Sequence, residues 1–292
     1  MKTYFEPSEL IINEDGSVFH LHAKPEFLAD KVILVGDPGR VSLVTKYFDK
    51  QIYEVSNREF RFATGEYKGK LITVVSTGIG CDNIDIVLNE LDAMANIDFN
   101  TRQLKPQLRS LDIVRIGTCG GLQDYVPEGT YIASQKSIGF DGLLNFYAGR
   151  NEVCDLELEK AFLEAMHWSG NQCIAHPYVV DANPEVLDRI AGNDMVRGIT
   201  IACGGFFGPQ GRELRIPLAD PHQNEKVMAF RYGDLRITNF EMEGSAVAGL
   251  SRLMGHRALT CCCVIANRVT QRANTNYKGG VIGLIEKVLE RI

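Results

Sequence analysis

Along this chain apolar residues gather into short continuous runs that end in glycine turns, and the runs alternate with stretches of helical periodicity. Residues 31–35, KVILV, lead straight into Gly36-Asp37-Pro38-Gly39-Arg40, after which Val41, Leu43, Val44, Tyr47 and Phe48 keep helical spacing. Two strands are predicted at 54–67 and 71–76, joined across Lys68-Gly69-Lys70. Thr77-Gly78-Ile79-Gly80 then opens a helix over 82–96 whose core stripe is Ile84, Val87, Leu88, Leu91 and Met94. Residues 96–110, polar and carrying Pro106, read as an exposed loop. At 111–116 the pattern recurs as an apolar strand, interrupted once by Arg115, that breaks into a small-residue turn, Gly117-Thr118-Cys119-Gly120-Gly121. Further strands are predicted at 129–135, 173–181, 198–203, 235–240 and 257–265. Helices are predicted at 155–169, at 184–190 with Pro184 in the first turn, from the Glu241-Met242-Glu243-Gly244 stretch through Met254, and at 280–291. Strands buried on both faces and separated by helices give an α/β fold.

Composition narrows the picture. A chain of 292 residues that is 45% hydrophobic can bury a large core, and no repeat or low-complexity linker divides it, so one domain is expected over 1–292, with 1–17 as an N-terminal extension. The net charge of −6 offers no general attraction to nucleic acid or to an anionic membrane, so any anion site must be a local cluster of cations. No apolar stretch approaches membrane-spanning length, and MKTYFEPSEL lacks an apolar signal core, which predicts a soluble cytoplasmic protein. The eight cysteines are scattered through apolar segments without a C-x-x-C pair, and Cys261-Cys262-Cys263 falls in a predicted core strand; reduced thiols and no zinc are expected. His20-x-His22 would need further metal ligands that the sequence does not locate, so no metal is assigned.

Within this frame several stretches carry chemistry. In open α/β sheets ligands bind at the carboxyl ends of strands, and glycines there let backbone N–H groups approach a ligand. Arg40, one turn into a helix that follows a glycine turn, and Arg115, in the last turn of a strand, are therefore candidates to face an anion. No Walker A loop is present, and Gly78-x-Gly80 lacks the third glycine of a dinucleotide fingerprint, where Asn83 stands. The loop at 204–212 brings Phe206, Phe207, Gln210 and Arg212 together, a stacking face with donors and acceptors suited to a flat heterocycle. Residues 214–233, polar and with Pro217 and Pro221, suit a lid. Glu241 and Glu243, two positions apart, should point to different sides of a strand or helix; one is expected to bind hydroxyls, and the plainer alternative is a charge favoured at a helix N-terminus.

Four stretches, Gly36-Asp37-Pro38-Gly39-Arg40, Ser76-Thr77-Gly78-Ile79-Gly80, Arg115-Ile116-Gly117-Thr118-Cys119-Gly120 and Asn239-Phe240-Glu241-Met242-Glu243, resemble in order and spacing the signatures of the nucleoside phosphorylase-I family, from near residue 18 to the C-terminus. Phe206, Gln210 and Arg212 further resemble the base-recognition loop of its uridine phosphorylases, and Ile265-Ala266-Asn267-Arg268 lacks the aspartate that bacterial purine phosphorylases carry there. The resemblance implies a single α/β domain with a central mixed, twisted, partly barrel-like sheet flanked by helices. It implies phosphorolysis of a pyrimidine nucleoside, uridine plus phosphate giving uracil and ribose 1-phosphate. A purine phosphorylase, a nucleosidase and a non-catalytic nucleoside-binding protein are the alternatives. By the same resemblance Gly36, Arg40, Arg115 and Thr118 bind phosphate, with Arg58 supplied by a neighbouring subunit. Thr118, Glu241, Met242 and Glu243 hold the ribose, His20 of the neighbour reaches its 5′-hydroxyl, and Phe206, Gln210 and Arg212 hold the base. Arg212, Arg115 and Glu243 are the expected catalytic groups. Inorganic phosphate is a co-substrate and no cofactor is implied. A monovalent cation between subunits, at Glu59, Ile79 and Asn83, is left open because Asn83 replaces the usual serine. The implied assembly is a homodimer or a hexamer built as a trimer of dimers, with active sites shared across the dimer interface.

Overall fold

The computed structural model describes residues 3–168 and 173–292. In its first half the strands are β1 (Lys31–Val35), β2 (Lys50–Asn57), β3 (Phe60–Tyr67), β4 (Lys70–Ser76), β5 (Ile97–Asp98), β6 (Gln103–Leu104) and β7 (Asp112–Gly121), with helices α1 (Pro38–Thr45) and α2 (Cys81–Asn96). The second half adds β8 (Tyr131–Gly139), α3 (Arg150–Val153), α4 (Leu156–Met166), β9 (Tyr178–Asp181), α5 (Pro184–Ala191) and β10 (Val196–Ala202). The chain then continues through α6 (Gln223–Ala229), β11 (Arg231–Tyr232), β12 (Leu235–Glu241), α7 (Gly244–Leu253), β13 (Arg257–Asn267), β14 (Arg272–Ala273) and α8 (Lys278–Arg291).

The main sheet has twelve strands in the path β11-β12-β10-β8-β13-β7-β1-β4-β3-β2, with β9 on β8 and β14 on β13. A further pairing between β12 and β7, Asn239 opposite Gly121 and Phe240 opposite Gly120, closes β7, β12, β10, β8 and β13 into a ring. The result is a closed barrel carrying an open wing of β1, β4, β3 and β2. Parallel and antiparallel pairs are mixed: β13 runs parallel to β7 and antiparallel to β8. A single α/β unit with a partly barrel-like mixed sheet is therefore the architecture, as the resemblance implied.

The continuous apolar runs follow from burial on both faces. Val32 and Leu34 of β1 pack with α2 and α7, whereas Ile33 and Val35 join α1, α5 and α8 on the other side. A third cluster, around Phe162, Trp168, Ile199, Ile201 and Phe230, seats α4 and α6 against the barrel.

Several local expectations change. The predicted strand at 54–67 is a hairpin, β2 and β3, turning on Arg58-Glu59. Arg58 takes φ 54, a left-handed position where glycine is the usual signal, so the turn was invisible in the sequence. The glycine turn predicted at 117–121 is the end of β7, which β13 and β12 hold from either side as far as Gly121. The glycines there serve close approach: a Cβ on Gly117 would lie 2.4 Å from Arg115 Nη1, and one on Gly121 would lie 2.8 Å from the Val126 carbonyl. Of the predicted 173–181 strand only Tyr178–Asp181 forms, and the 155–169 helix spans Leu156–Met166, with Ser169 outside the described residues. The 96–110 loop contains the small β5–β6 hairpin, and 214–233 contains α6 and β11.

Candidate active site

A cleft of about 670 Å³ opens at the carboxyl ends of β1, β4, β7, β12 and β13. Its lining includes ten of the twelve expected residues: Gly36, Arg40, Arg115, Thr118, Phe206, Gln210, Arg212, Glu241, Met242 and Glu243. Residues more than two hundred positions apart thus meet in one cavity, at the place where this fold class binds ligands.

At one end Gly36 follows β1 and Asp37 caps α1, its carboxylate accepting from the Gly39 N–H at 2.8 Å. That bond turns the carboxylate toward the helix and leaves Arg40 with no ion-pair partner among the described residues. Thr118, half-buried on β7, lines the cleft alongside. An unpaired guanidinium, a hydroxyl and the first turn of a helix together suit an anion.

The floor is a buried cluster of charge. Arg115 Nη1 lies 3.1 Å from Glu241 Oε2, and Nη2 donates to Glu243 Oε2. The Gly80 N–H, at the start of α2, donates to the other Glu243 oxygen at 2.7 Å. Burial alone would disfavour the charged guanidinium, but Glu243 and Glu241 hold its pKa above the ordinary value. Burial pushes the Glu241 carboxyl up to about 7, against the pull of Arg115 and with Glu243 adding to the rise. The expectation that the two glutamates point to different sides fails. Glu241 ends β12 and Glu243 is the non-helical residue (φ −138°, ψ −24°) before α7, so neither a strand's nor a helix's period relates them. The Glu241 carboxylate, which also lines the cleft, accepts from the N–H groups of Glu243 and Gly244 and lies against the Arg115 guanidinium.

At the far end the 206–212 loop wraps a short 3-10 turn, Gly208–Gln210. The Arg212 guanidinium lies flat over the Phe206 ring, 3.7 Å from its centroid, and donates to the Phe206 carbonyl and to Gln210 Oε1. Arg268 Nη2 donates to the Gln210 carbonyl at 3.0 Å, and Asn224 of α6 donates to the carbonyls of Gln210 and Gly211. Burial first, and the neighbouring Arg268 second, lower the Arg212 pKa to about 10. Among the described residues no carboxylate lines this end: Ile265 and Ala266 occupy the wall, and the Asn267 side chain is taken up by the Gln123 and Val126 carbonyls and by the N–H groups of Val269 and Thr270.

His20 and Arg58 stand outside the cleft. His20 sits on a turn clamped to Glu90 of α2, its Nδ1 2.7 Å from Glu90 Oε1 and its N–H on the same carboxylate. Arg58 is exposed at the tip of the β2–β3 hairpin, while its neighbour Glu59 reaches the rim of the cleft with Ile79 and Asn83. Phe207 turns away from the cleft and lines an adjacent cavity of about 600 Å³ with Trp168, Leu214 and Ile216. Sequence reasoning placed Arg268 only at the end of a strand; a cation directly after a core strand was the signal for its place beside the base loop.

Residues 30–288 match the family described as the Phosphorylase superfamily. The chain is 31% identical over 269 residues to a uridine phosphorylase of Thermococcus kodakarensis, covering 91% of this chain and 83% of that one. It is 27% identical over 260 residues to a uridine phosphorylase of Haemophilus influenzae, covering 88% of each. Among solved structures, a Trypanosoma brucei nucleoside phosphorylase described as showing uridine phosphorylase activity superposes with a TM-score of 0.88 at 30% identity, over 97% of this chain and 98% of that one.

Proposed function

We propose that this chain, which belongs to the phosphorylase superfamily, catalyses the phosphorolysis of uridine to uracil and ribose 1-phosphate. The observation that carries the reading is the order of groups along one cleft among the described residues: an unpaired Arg40 beside Thr118, then the Arg115–Glu243 floor, then an amide and the Arg212 guanidinium, backed by Arg268, with no carboxylate. Phosphate dianion fits the first, ribose hydroxyls the second and the uracil edge the third. Uracil offers acceptor, donor and acceptor along that edge, which Gln210 and Arg212 can complement while Phe206 stacks on the ring.

The chemistry then follows charge. A phosphate oxygen forms the new bond to C1′ as the C1′–N1 bond breaks, and the electron pair leaves with the base as a uracil anion. Arg40 and Arg115 orient phosphate by charge-assisted hydrogen bonds, and Glu243 accepts from the ribose hydroxyls. Arg212, with Arg268 behind it, meets the charge that develops on the departing base. Placement and electrostatics suffice, so no covalent nucleophile is required. The want of an acid at Ile265-Ala266-Asn267 supports a pyrimidine over a purine, whose N7 calls for a proton. The phosphate cations support phosphate over water as the nucleophile.

Arg58 and His20 lie outside their own cleft, and we assign them to a neighbouring copy's site in a homodimer or a hexamer built as a trimer of dimers. A cytoplasmic location fits the free thiols, and no helix among the described residues is long and apolar enough to cross a membrane. The test is base release from uridine, thymidine, inosine and adenosine, each with and without phosphate. Uracil release from uridine only when phosphate is present is expected; release without phosphate, or a preference for inosine, overturns the reading.

A further inference from the structure

Glu241 is the most completely enclosed charge of the site. Its Oε2 accepts from the Glu243 N–H at 2.9 Å and the Gly244 N–H at 2.9 Å and lies 3.1 Å from Arg115 Nη1, while Oε1 shares the Gly244 N–H at 2.9 Å. The side chain is 1% exposed. A carboxylate offers about four lone-pair directions, and here two backbone N–H groups and the Arg115 guanidinium converge on it, so most of its accepting capacity is spent inside the protein. Glu243 differs, because each of its oxygens carries one donor, the Gly80 N–H on one and Arg115 Nη2 on the other. Two functional groups hang on Glu241: the turn that aims Glu243, and the Arg115 guanidinium, whose Nε has no partner among the described residues.

We propose that Glu241 is a positioning residue, fixing the turn that presents Glu243 and holding the Arg115 guanidinium in one orientation, without touching substrate itself. The proposal rests on the phosphorolytic reading for what Arg115 and Glu243 meet. Its physical basis is independent of that reading: a guanidinium set by a carboxylate that two backbone N–H groups anchor keeps one orientation, whereas one set by Glu243 alone would swing whenever Glu243 engages a ligand.

The test compares Glu241→Gln with Glu243→Gln. In Glu241→Gln the phosphate KM rises about tenfold or more, as expected when a charge-assisted bond is lost. Its kcat/KM values for uridine and 2′-deoxyuridine fall together, so that their ratio stays within about twofold of wild type. In Glu243→Gln that ratio moves, because Glu243 meets the hydroxyls directly. A uridine to 2′-deoxyuridine ratio changed about tenfold in Glu241→Gln at unchanged phosphate KM would make Glu241 a ribose ligand and overturn the proposal; unchanged kinetics overturn it equally. Calorimetric titration with inorganic phosphate alone separates the two readings. A wild type that binds phosphate but turns over no nucleoside ends the phosphorolytic reading, while weaker phosphate binding by Glu241→Gln still supports the positioning role. Equal phosphate affinity in the two proteins, or none in the wild type, ends that role. If Glu241→Gln does not fold, Glu241→Asp, which keeps the charge and shortens the reach, is held to the same criteria.

Discussion

The floor of the cleft and its base end are built on opposite plans. On the floor Arg115 comes from β7, Glu241 from the end of β12 and Glu243 from the turn just beyond; every charge is buried, with one guanidinium and several backbone N–H groups answering two carboxylates. At the base end Arg212 and Arg268 come from a loop and a strand terminus, donate to carbonyl and amide oxygens, and face no carboxylate. A cluster tied together inside the protein is ordered before substrate arrives, which suits the sugar-holding role proposed for it. The pair of cations is held by neutral acceptors, which leaves its charge for the base anion in the proposed reaction. On that proposal placement falls to the strands and charge stabilisation to the loop.

The contrast can be broken most forcefully at the floor. Arg115→Met leaves two carboxylates buried without their counter-charge, and a loss of about 3–5 kcal/mol in stability is expected, read from urea unfolding, along with loss of phosphorolysis. An unfolding midpoint equal to wild type would mean that Arg115 does not supply the counter-charge of the two carboxylates. The base end should behave differently. In Arg212→Ala, kcat for uridine is expected to fall by about 10²–10³, while phosphate affinity by calorimetry and the unfolding midpoint stay near wild type. Weakened phosphate binding there would erase the division between the two ends. The smallest effect sharpens the boundary of the base end: Phe207 lines the neighbouring cavity rather than the cleft, so Phe207→Ala should leave uridine kinetics within about twofold of wild type. A large rise in the uridine KM would move Phe207 into the base site.

What the sequence revealed divides along the same physical lines. The run at 31–35 is a strand with those bounds, and the stripe on the helix beginning near 82 is buried throughout, because local period and burial agree there. Residues 36, 40, 115, 118, 206, 210, 212, 242 and 243 share one cleft, and the legible sign was glycine near the carboxyl ends of apolar strands. The turn at Arg58 stayed hidden because a non-glycine residue adopts the left-handed conformation. The glycines at 117–121 were misread as a turn because the partners that keep them extended, β12 and β13, lie far along the chain. Glu241 and Glu243 were separated on paper by a period that the irregular backbone between β12 and α7 does not keep. Each miss is a place where tertiary pairing overrides a local rule.

The seam that closes the barrel bears on how the protein acquires activity. It joins Gly120 and Phe240, about 120 positions apart in the chain, and the loop-closure entropy of such a contact must be met before its hydrogen bonds reward it. Arg115 lies on one side of that seam and Glu241 on the other, so a chain with most of its helices and the β1–β4 wing already formed still lacks the floor of its site. During refolding, helical signal should therefore return ahead of catalysis, and an enzyme assay would time the closing of the barrel.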